Sequence, residues 1–298
     1  MRVLTVILWV CLASATAAMI GAAPATAQVR NLYEGDSIYN HITVREDGSE
    51  RCMIFGRQQD LRQTCIDLRQ PDRSVFEYTA MMFAAFLFNP EARRVCLIGL
   101  GGGYIPTVFK MHLPQVRLWT VEVDPLVDNL ARKYFQFTVP GNHSLIIDDG
   151  RQFLKKNKER FDQIWLDAFN SDYIPAHMAT REFLQLVKSN LSGEGIVIQN
   201  LFCGSRLYEA QIATIRTVFS KVFIFEGVRS GSCVVVGTDS PAADPAALGK
   251  AAARFKGRIG YIDLAVEVKK CVPAPILNKA TILTDDFNPA NLLLRQKP

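Results

Sequence analysis

The sequence predicts an α/β fold in which a mostly parallel sheet is covered on both faces, preceded by a small β region. Three observations carry this. From Arg94 onward, short apolar runs alternate with helical segments, the pattern of parallel strands buried by crossover helices. The first run, Val95 to Gly99, opens onto Gly101, Gly102 and Gly103. The next two runs end in acids, first Glu122 and Asp124, then Asp148 and Asp149.

The elements follow in order. Residues 28–75 read as the small β domain: Ser37 to Val44 alternates and is rich in β-formers. Glu46-Asp47-Gly48-Ser49 signals a turn, Arg51 to Phe55 returns, and Thr64 to Leu68 offers a further short strand. Val75 to Phe88 reads as one buried helix that ends at Asn89-Pro90. Within residues 76–298, strands are expected at 95–99, 118–123, 144–147, 162–166, 195–201, 222–225 and 233–237. Helices are expected at 125–134, 151–158, 180–190 and 207–219. Seven strands with a final close pair fit the doubly wound, Rossmann-like sheet of the S-adenosylmethionine-dependent methyltransferase type.

Composition narrows the class. Of 298 residues, 49% are hydrophobic and 21% charged, which is globular rather than disordered. The net charge of +5 is spread without a basic block or aromatic-basic stripe, so nucleic acid is not an expected partner. Arg2, the apolar run Val3 to Ala18 and the Ala25-Thr26-Ala27 ending predict a signal peptide over residues 1–27. A retained N-terminal anchor is the alternative. Either way the mature domain is expected outside the cytoplasm, periplasmic or secreted, with no further membrane span. Cys11 lies in that segment, and six cysteines remain. Cys52 and Cys65 flank the expected hairpin and are the first candidates for a disulfide, whereas Cys96 reads as a buried free thiol. No Cys or His spacing suits zinc, so no metal is expected.

The chemistry gathers at strand ends. Glycines at 99, 101 and 103 permit a tight turn and close approach of a ligand to the backbone. Tyr104 stands where a strict dinucleotide fingerprint needs glycine, which argues against a nicotinamide cofactor. Glu122 follows Gly99 by 23 residues, the spacing of an acid that accepts ribose hydroxyls. Asp149, followed by Gly150, can accept an adenine amino group. Each acid alone could equally be a helix cap; their order at successive strand ends points to a nucleoside. Asp167 ends the fourth strand over the same crevice. An alkyl amine is protonated at neutral pH, and only its free base attacks carbon. A partly desolvated Asp167 can hold the amine and take its proton.

These residues resemble the polyamine aminopropyltransferases, the spermidine synthase family. Ser37 to Val44 looks like that family's N-terminal β segment, and Tyr78 lies at its tyrosine position. Glu122 and Asp124 match its E-x-D pair, Asp149-Gly150 its adenine contact, and Asp167 the aspartate that opens D-x-x-D. Leu283-Thr284-Asp285-Asp286 looks like its C-terminal L-T-D-D. The resemblance implies decarboxylated S-adenosylmethionine, or S-adenosylmethionine, as co-substrate with no tightly bound cofactor. It implies an amine acceptor such as putrescine, met by Tyr78, Asn170 and Asp172. A homodimer is left open. Three positions depart from the pattern: Gly102 stands for an aspartate, Asn170 for the second aspartate of D-x-x-D, and Ala80 for a glutamate. The alternatives are an exported methyltransferase and a non-catalytic nucleoside- or polyamine-binding protein. Several acids opposite Asp167 would favour a polyamine; a mixed lining would favour another acceptor.

Overall fold

The computed structural model describes residues 29–57, 62–168, 174–228 and 231–289. The expected signal segment, Asn170 and Asp172 lie outside them. Four antiparallel strands come first: β1 (Arg30–Asp36), β2 (His41–Asp47), β3 (Glu50–Phe55) and β4 (Thr64–Asp67), paired in that order. Two corrections arise here. The first strand is β1, ahead of the expected start. Ser37 to Asn40 form a turn instead, in which the Ser37 hydroxyl accepts the amides of Tyr39 and Asn40 at 3.0 Å, the local competition that serine offers a strand. Cys52 and Cys65 sit directly opposite each other in β3 and β4 and form the expected disulfide.

The expected helix over 75–88 is two short ones, α1 (Glu77–Met82) and α2 (Ala85–Phe88). Every residue from 81 to 88 is buried. A straight helix would turn one side of that run outward, so packing overrides its propensity. Phe83 and Phe86 both meet the edge of Trp165.

The main sheet then builds from β5 (Arg94–Ile98), α3 (Tyr104–His112), β6 (Arg117–Glu122), α4 (Pro125–Tyr134), β7 (His143–Ile147), α5 (Gly150–Lys156) and β8 (Phe161–Leu166). It continues through α6 (Arg181–Asn190), β9 (Leu191–Phe202), α7 (Tyr208–Arg216), β10 (Lys221–Glu226), β11 (Ser232–Thr238), α8 (Leu248–Arg254), α9 (Leu264–Val268) and β12 (Cys271–Pro273). The spatial order is β12-β10-β11-β9-β8-β5-β6-β7. The sheet therefore has eight strands, not seven. The extra one, β12, pairs antiparallel with β10 at the edge over three residues, too few for any periodicity to show in the sequence.

Strands β7, β6, β5, β8 and β9 are parallel, and β11, β10 and β12 complete the sheet antiparallel. Two apolar clusters cover its faces, one around Phe83, Phe86 and Trp165, the other around Phe161, Phe183 and Ile164. A third joins Ile42, Val44, Met53 and Ile66 of the small sheet to Val127, Leu130 and Phe135 of the α4 region. Arg51 ties this junction by donating to the Tyr134 carbonyl while pairing with Glu46. The order of strands reverses between β5 and β8. Open α/β sheets bind ligands at such a switch point, beyond the strands' carboxyl ends. No helix among the described residues is long and apolar enough to cross a membrane.

Candidate active site

A cavity of about 710 Å³ opens at the switch point, a size suited to a small-molecule substrate. Gly99 and Asp167 line it side by side, at the ends of neighbouring strands. The Gly99 φ is +107°, and a Cβ there would lie 2.3 Å from the Asp167 carbonyl oxygen, so no other residue fits where β5 and β8 converge. Gly101 and Gly103 also have positive φ; Gly103 is the cap just before α3 and, unlike Gly99 and Gly101, is not among the residues that line the cavity.

Gly102 is different. A Cβ there would meet Phe135 at 2.8 Å and the Thr64 hydroxyl at 3.2 Å. Its amide donates to Thr64 Oγ1 at 3.0 Å. The space an aspartate would need is filled by the small sheet and α4, which accounts for the departure noted in the sequence. Ala80 packs against the apolar cluster around Trp165 and is absent from the cavity wall.

The acids at the nucleoside end are arranged unequally. Glu122 is buried, and both its oxygens already accept backbone amides, Oε1 from Asp124 at 3.0 Å and Oε2 from Leu100 at 2.9 Å. Burial pushes its carboxyl above the usual value against those amides. Asp124 caps α4 through Oδ1, which accepts from Leu126 at 2.9 Å, while its buried Oδ2 has no hydrogen-bond partner. Asp124 lines the cavity. Asp149 caps α5 by accepting the Gln152 amide at 2.9 Å, and His177 Nε2 lies 2.9 Å from its other oxygen. Burial would raise the Asp149 carboxyl, but the Gln152 amide and His177 outweigh it and hold it below its usual range. For both aspartates, helix cap and cavity wall are one position. Gly150 lines the cavity beside them.

Asp167 occupies the opposite end. Burial pushes its carboxyl up to about 7, while hydrogen bonds from Asn200 and Tyr78 pull it down. Asn200 Nδ2 donates to Oδ1 at 3.0 Å. The Tyr78 phenol is raised well above its usual value by burial and then by the nearby carboxylate. Gln63, Phe55, Phe76, Asn200, Phe202 and Ser232 share this end of the cavity. Among the described lining residues, Asp167 is the carboxylate there; Glu122, Asp124 and Asp149 belong to the other end.

A buried carboxylate that titrates near neutrality, facing strand-end acids across one cavity, suits transfer chemistry on an amine beside a nucleoside. A family model described as the spermine/spermidine synthase domain matches residues 75–229. The polyamine aminopropyltransferase of Vibrio vulnificus (strain CMCP6) is 34% identical over 273 residues, covering 88% of this chain and 91% of that protein. The chain belongs to the spermine/spermidine synthase family. It is a transferase of the polyamine aminopropyltransferase type. In structure, a probable spermidine synthase from Corynebacterium glutamicum superimposes with a TM-score of 0.65 at 20% identity, covering 89% of this chain and 99% of that one, which shows the shared fold. More distantly, the eEF1A lysine and N-terminal methyltransferase of Bos taurus is 30% identical over 157 residues, 47% of this chain and 22% of that protein.

Within this synthase-family site the structure brings together Gly99, Gly101, Glu122, Asp124, Asp149, Gly150, Tyr78 and Asp167 on one cavity. Thr64, Gln63, Asn200 and His177 also line it and were not singled out from the sequence. For Asn200 a signal existed: Gln199-Asn200 is a polar pair that interrupts the apolar run from Ile196 to Phe202.

Proposed function

We propose that the chain moves an aminopropyl group from decarboxylated S-adenosylmethionine to an amine of the putrescine or longer polyamine class. The observation that carries this is Asp167, a carboxylate raised to about 7 and held by Asn200 and Tyr78 on the wall of the nucleoside-sized cavity. Near neutral pH it can accept a proton and return it to water. The nucleoside lies against Gly99 and Gly101, with its hydroxyls toward Glu122 and Asp124, and its base toward Asp149.

The acceptor's free amine attacks the aminopropyl carbon next to the sulfonium. The C–N bond forms as the C–S bond breaks, and the C–S electron pair returns to sulfur and cancels its charge. Asp167 takes the acceptor ammonium's proton before this attack, which frees the amine, and returns it to water; the new secondary ammonium keeps its charge. Methylthioadenosine leaves. In-line placement of amine and carbon across the switch point supplies the rate advantage of a unimolecular step.

A second reading has its own support. The wall near Asp167 is mixed rather than acidic among the described residues, which favours an acceptor other than a diamine, served by methyl transfer from ordinary S-adenosylmethionine. We also propose that the mature protein is exported. The two disulfides, Cys52–Cys65 and Cys203–Cys233, support that placement, since such bonds persist in oxidising compartments.

Calorimetry with both nucleosides, followed by a product assay with putrescine, decides between these readings. Tighter binding of the decarboxylated donor and formation of spermidine are expected. Binding of both donors with no aminopropyl product would favour the second reading, and binding of neither would overturn both.

A further inference from the structure

We propose that Asn200 is a positioning residue for Asp167: its carboxamide, reaching across from β9, holds the carboxylate in the orientation in which it receives the acceptor's proton. This rests on the reading of Asp167 as the base.

The geometry is specific. β8 and β9 run parallel with Leu166 opposite Gln199, so the next residue on each strand, Asp167 and Asn200, emerge side by side at the cavity. Asn200 is 6% exposed and sits in a strand whose neighbours Ile196, Val197, Ile198 and Leu201 are buried and apolar. A carboxamide in such a place is costly unless hydrogen-bonded. Its Nδ2 donates to Asp167 Oδ1 at 3.0 Å.

An ionised carboxylate offers about four lone-pair positions. Asn200 from β9 takes one of them, and the Tyr78 hydroxyl, which donates to the Gln63 carbonyl at 3.4 Å, lies close to the carboxylate. The Gly99 backbone, just after β5, packs against the Asp167 main-chain carbonyl and fixes where the residue leaves β8. Among the described residues, Tyr78 is the titratable group that faces Asp167. Orientation and proton affinity therefore fall mainly to Asn200. Without it, the carboxylate could turn about its own side-chain bonds and would ionise less readily.

The test compares the parent protein with Asn200→Leu, which keeps the volume and removes the donor, and Asn200→Ser, which keeps a smaller hydroxyl donor. The Asp167 carboxyl titration is followed by carbon-detected NMR in the full chain without substrate. Transfer is then measured from pH 6 to pH 9. Losing a hydrogen bond to the ionised form should raise the titration midpoint in the leucine variant by about one pH unit, with the serine variant between. Turnover should fall about five-fold or more at pH 7 and recover in part as the pH rises, the residual loss reporting the lost orientation, while donor affinity by calorimetry stays unchanged.

An unshifted midpoint, or a turnover unchanged at every pH, would overturn the proposal. If the leucine variant does not fold, the serine variant carries the same comparison. The NMR arm separates the two readings: a shifted midpoint with no transfer by the parent would refute the aminopropyl reaction and leave the Asn200–Asp167 coupling standing.

Discussion

The Thr64 hydroxyl accepts the Gly102 amide at 3.0 Å, so a residue of the small N-terminal sheet completes the glycine turn of the large one. The turn is thus held from outside its own βα unit. Thr64→Val keeps the shape and removes the acceptor, leaving a buried amide unpaired. Nucleoside affinity should fall by several-fold, in line with a cost of about 1–3 kcal/mol. Isothermal calorimetry with decarboxylated S-adenosylmethionine checks it. Restoring the family's aspartate by Gly102→Asp should not restore function. It must displace Phe135 or Thr64, and overpacking of this kind costs about 1–3 kcal/mol of stability, read by thermal denaturation.

Asp167→Asn should remove transfer while sparing nucleoside binding. It should also stabilise the protein, and the pH dependence has a definite sign. The unfolded chain loses the Asp167 proton near the ordinary aspartate value of about 4, the folded chain only at about 7. Between those values the folded state binds more protons, so this group's contribution to stability is lost as pH rises through that window. The asparagine variant escapes that loss. Its advantage over the parent should be absent at pH 4 and grow to about 1–2 kcal/mol above pH 7, after allowing for water in the cavity. Denaturant titrations at both pH values measure it, and equal advantages at the two would contradict it.

Asp124 separates capping from recognition. Asp124→Asn keeps the Oδ1 acceptor for Leu126 but replaces the unpartnered, buried Oδ2 by an amide donor. Stability should change little, while nucleoside affinity drops by roughly ten-fold, the effect of losing one hydrogen bond to a charged group. Asp124→Ala should lose both, with about 0.5–2 kcal/mol of stability going with the cap. Paired calorimetry and melting curves on the two variants distinguish the roles.

Lys270 reaches Glu77 at 3.0 Å and Glu267 at 3.1 Å, in a spot where all three side chains are largely buried. Glu77 opens α1 and precedes Tyr78. Lys270→Ala removes the cation that these two carboxylates share, which should lower stability by up to about 3–5 kcal/mol. A melting-temperature shift of less than a few degrees would contradict this.

Both disulfides sit beside cavity residues: Cys65 follows Thr64, while Cys203 and Cys233 follow Phe202 and Ser232. Reduction should lower stability by about 2–4 kcal/mol per bond and lower nucleoside affinity with it. Serine variants of each pair, assayed separately by melting and calorimetry, show which wall matters more.

How much of this was readable in advance follows from locality. Gly99, Glu122 and Asp149 could be placed because each ends a strand whose apolar run and following turn are contiguous. Cys52 and Cys65 were readable for the same reason, being opposite residues of neighbouring strands. Thr64, Asn200 and His177 escaped notice because only the strand order β9-β8-β5 and the docking of the small sheet bring them to the cavity. Cys203 and Cys233 needed the antiparallel pairing of β9 with β11, in which Cys233 lies opposite Leu201. The single helix expected over 75–88 failed where complete burial erased the periodicity by which helices are recognised.

The reversal of strand order between β5 and β8 has a consequence for how such a protein can diversify. Everything proposed to hold the donor, from Gly99 to Gly150, lies in one unbroken stretch of chain that folds back on itself. The wall around the acceptor is assembled from scattered pieces: Gln63, Phe76 and Tyr78 on one side, Asn200, Phe202 and Ser232 on the other. Donor preference is inherited as a block, whereas acceptor preference can drift one piece at a time. Exchanging those pieces between relatives should retune the amine accepted without disturbing the nucleoside.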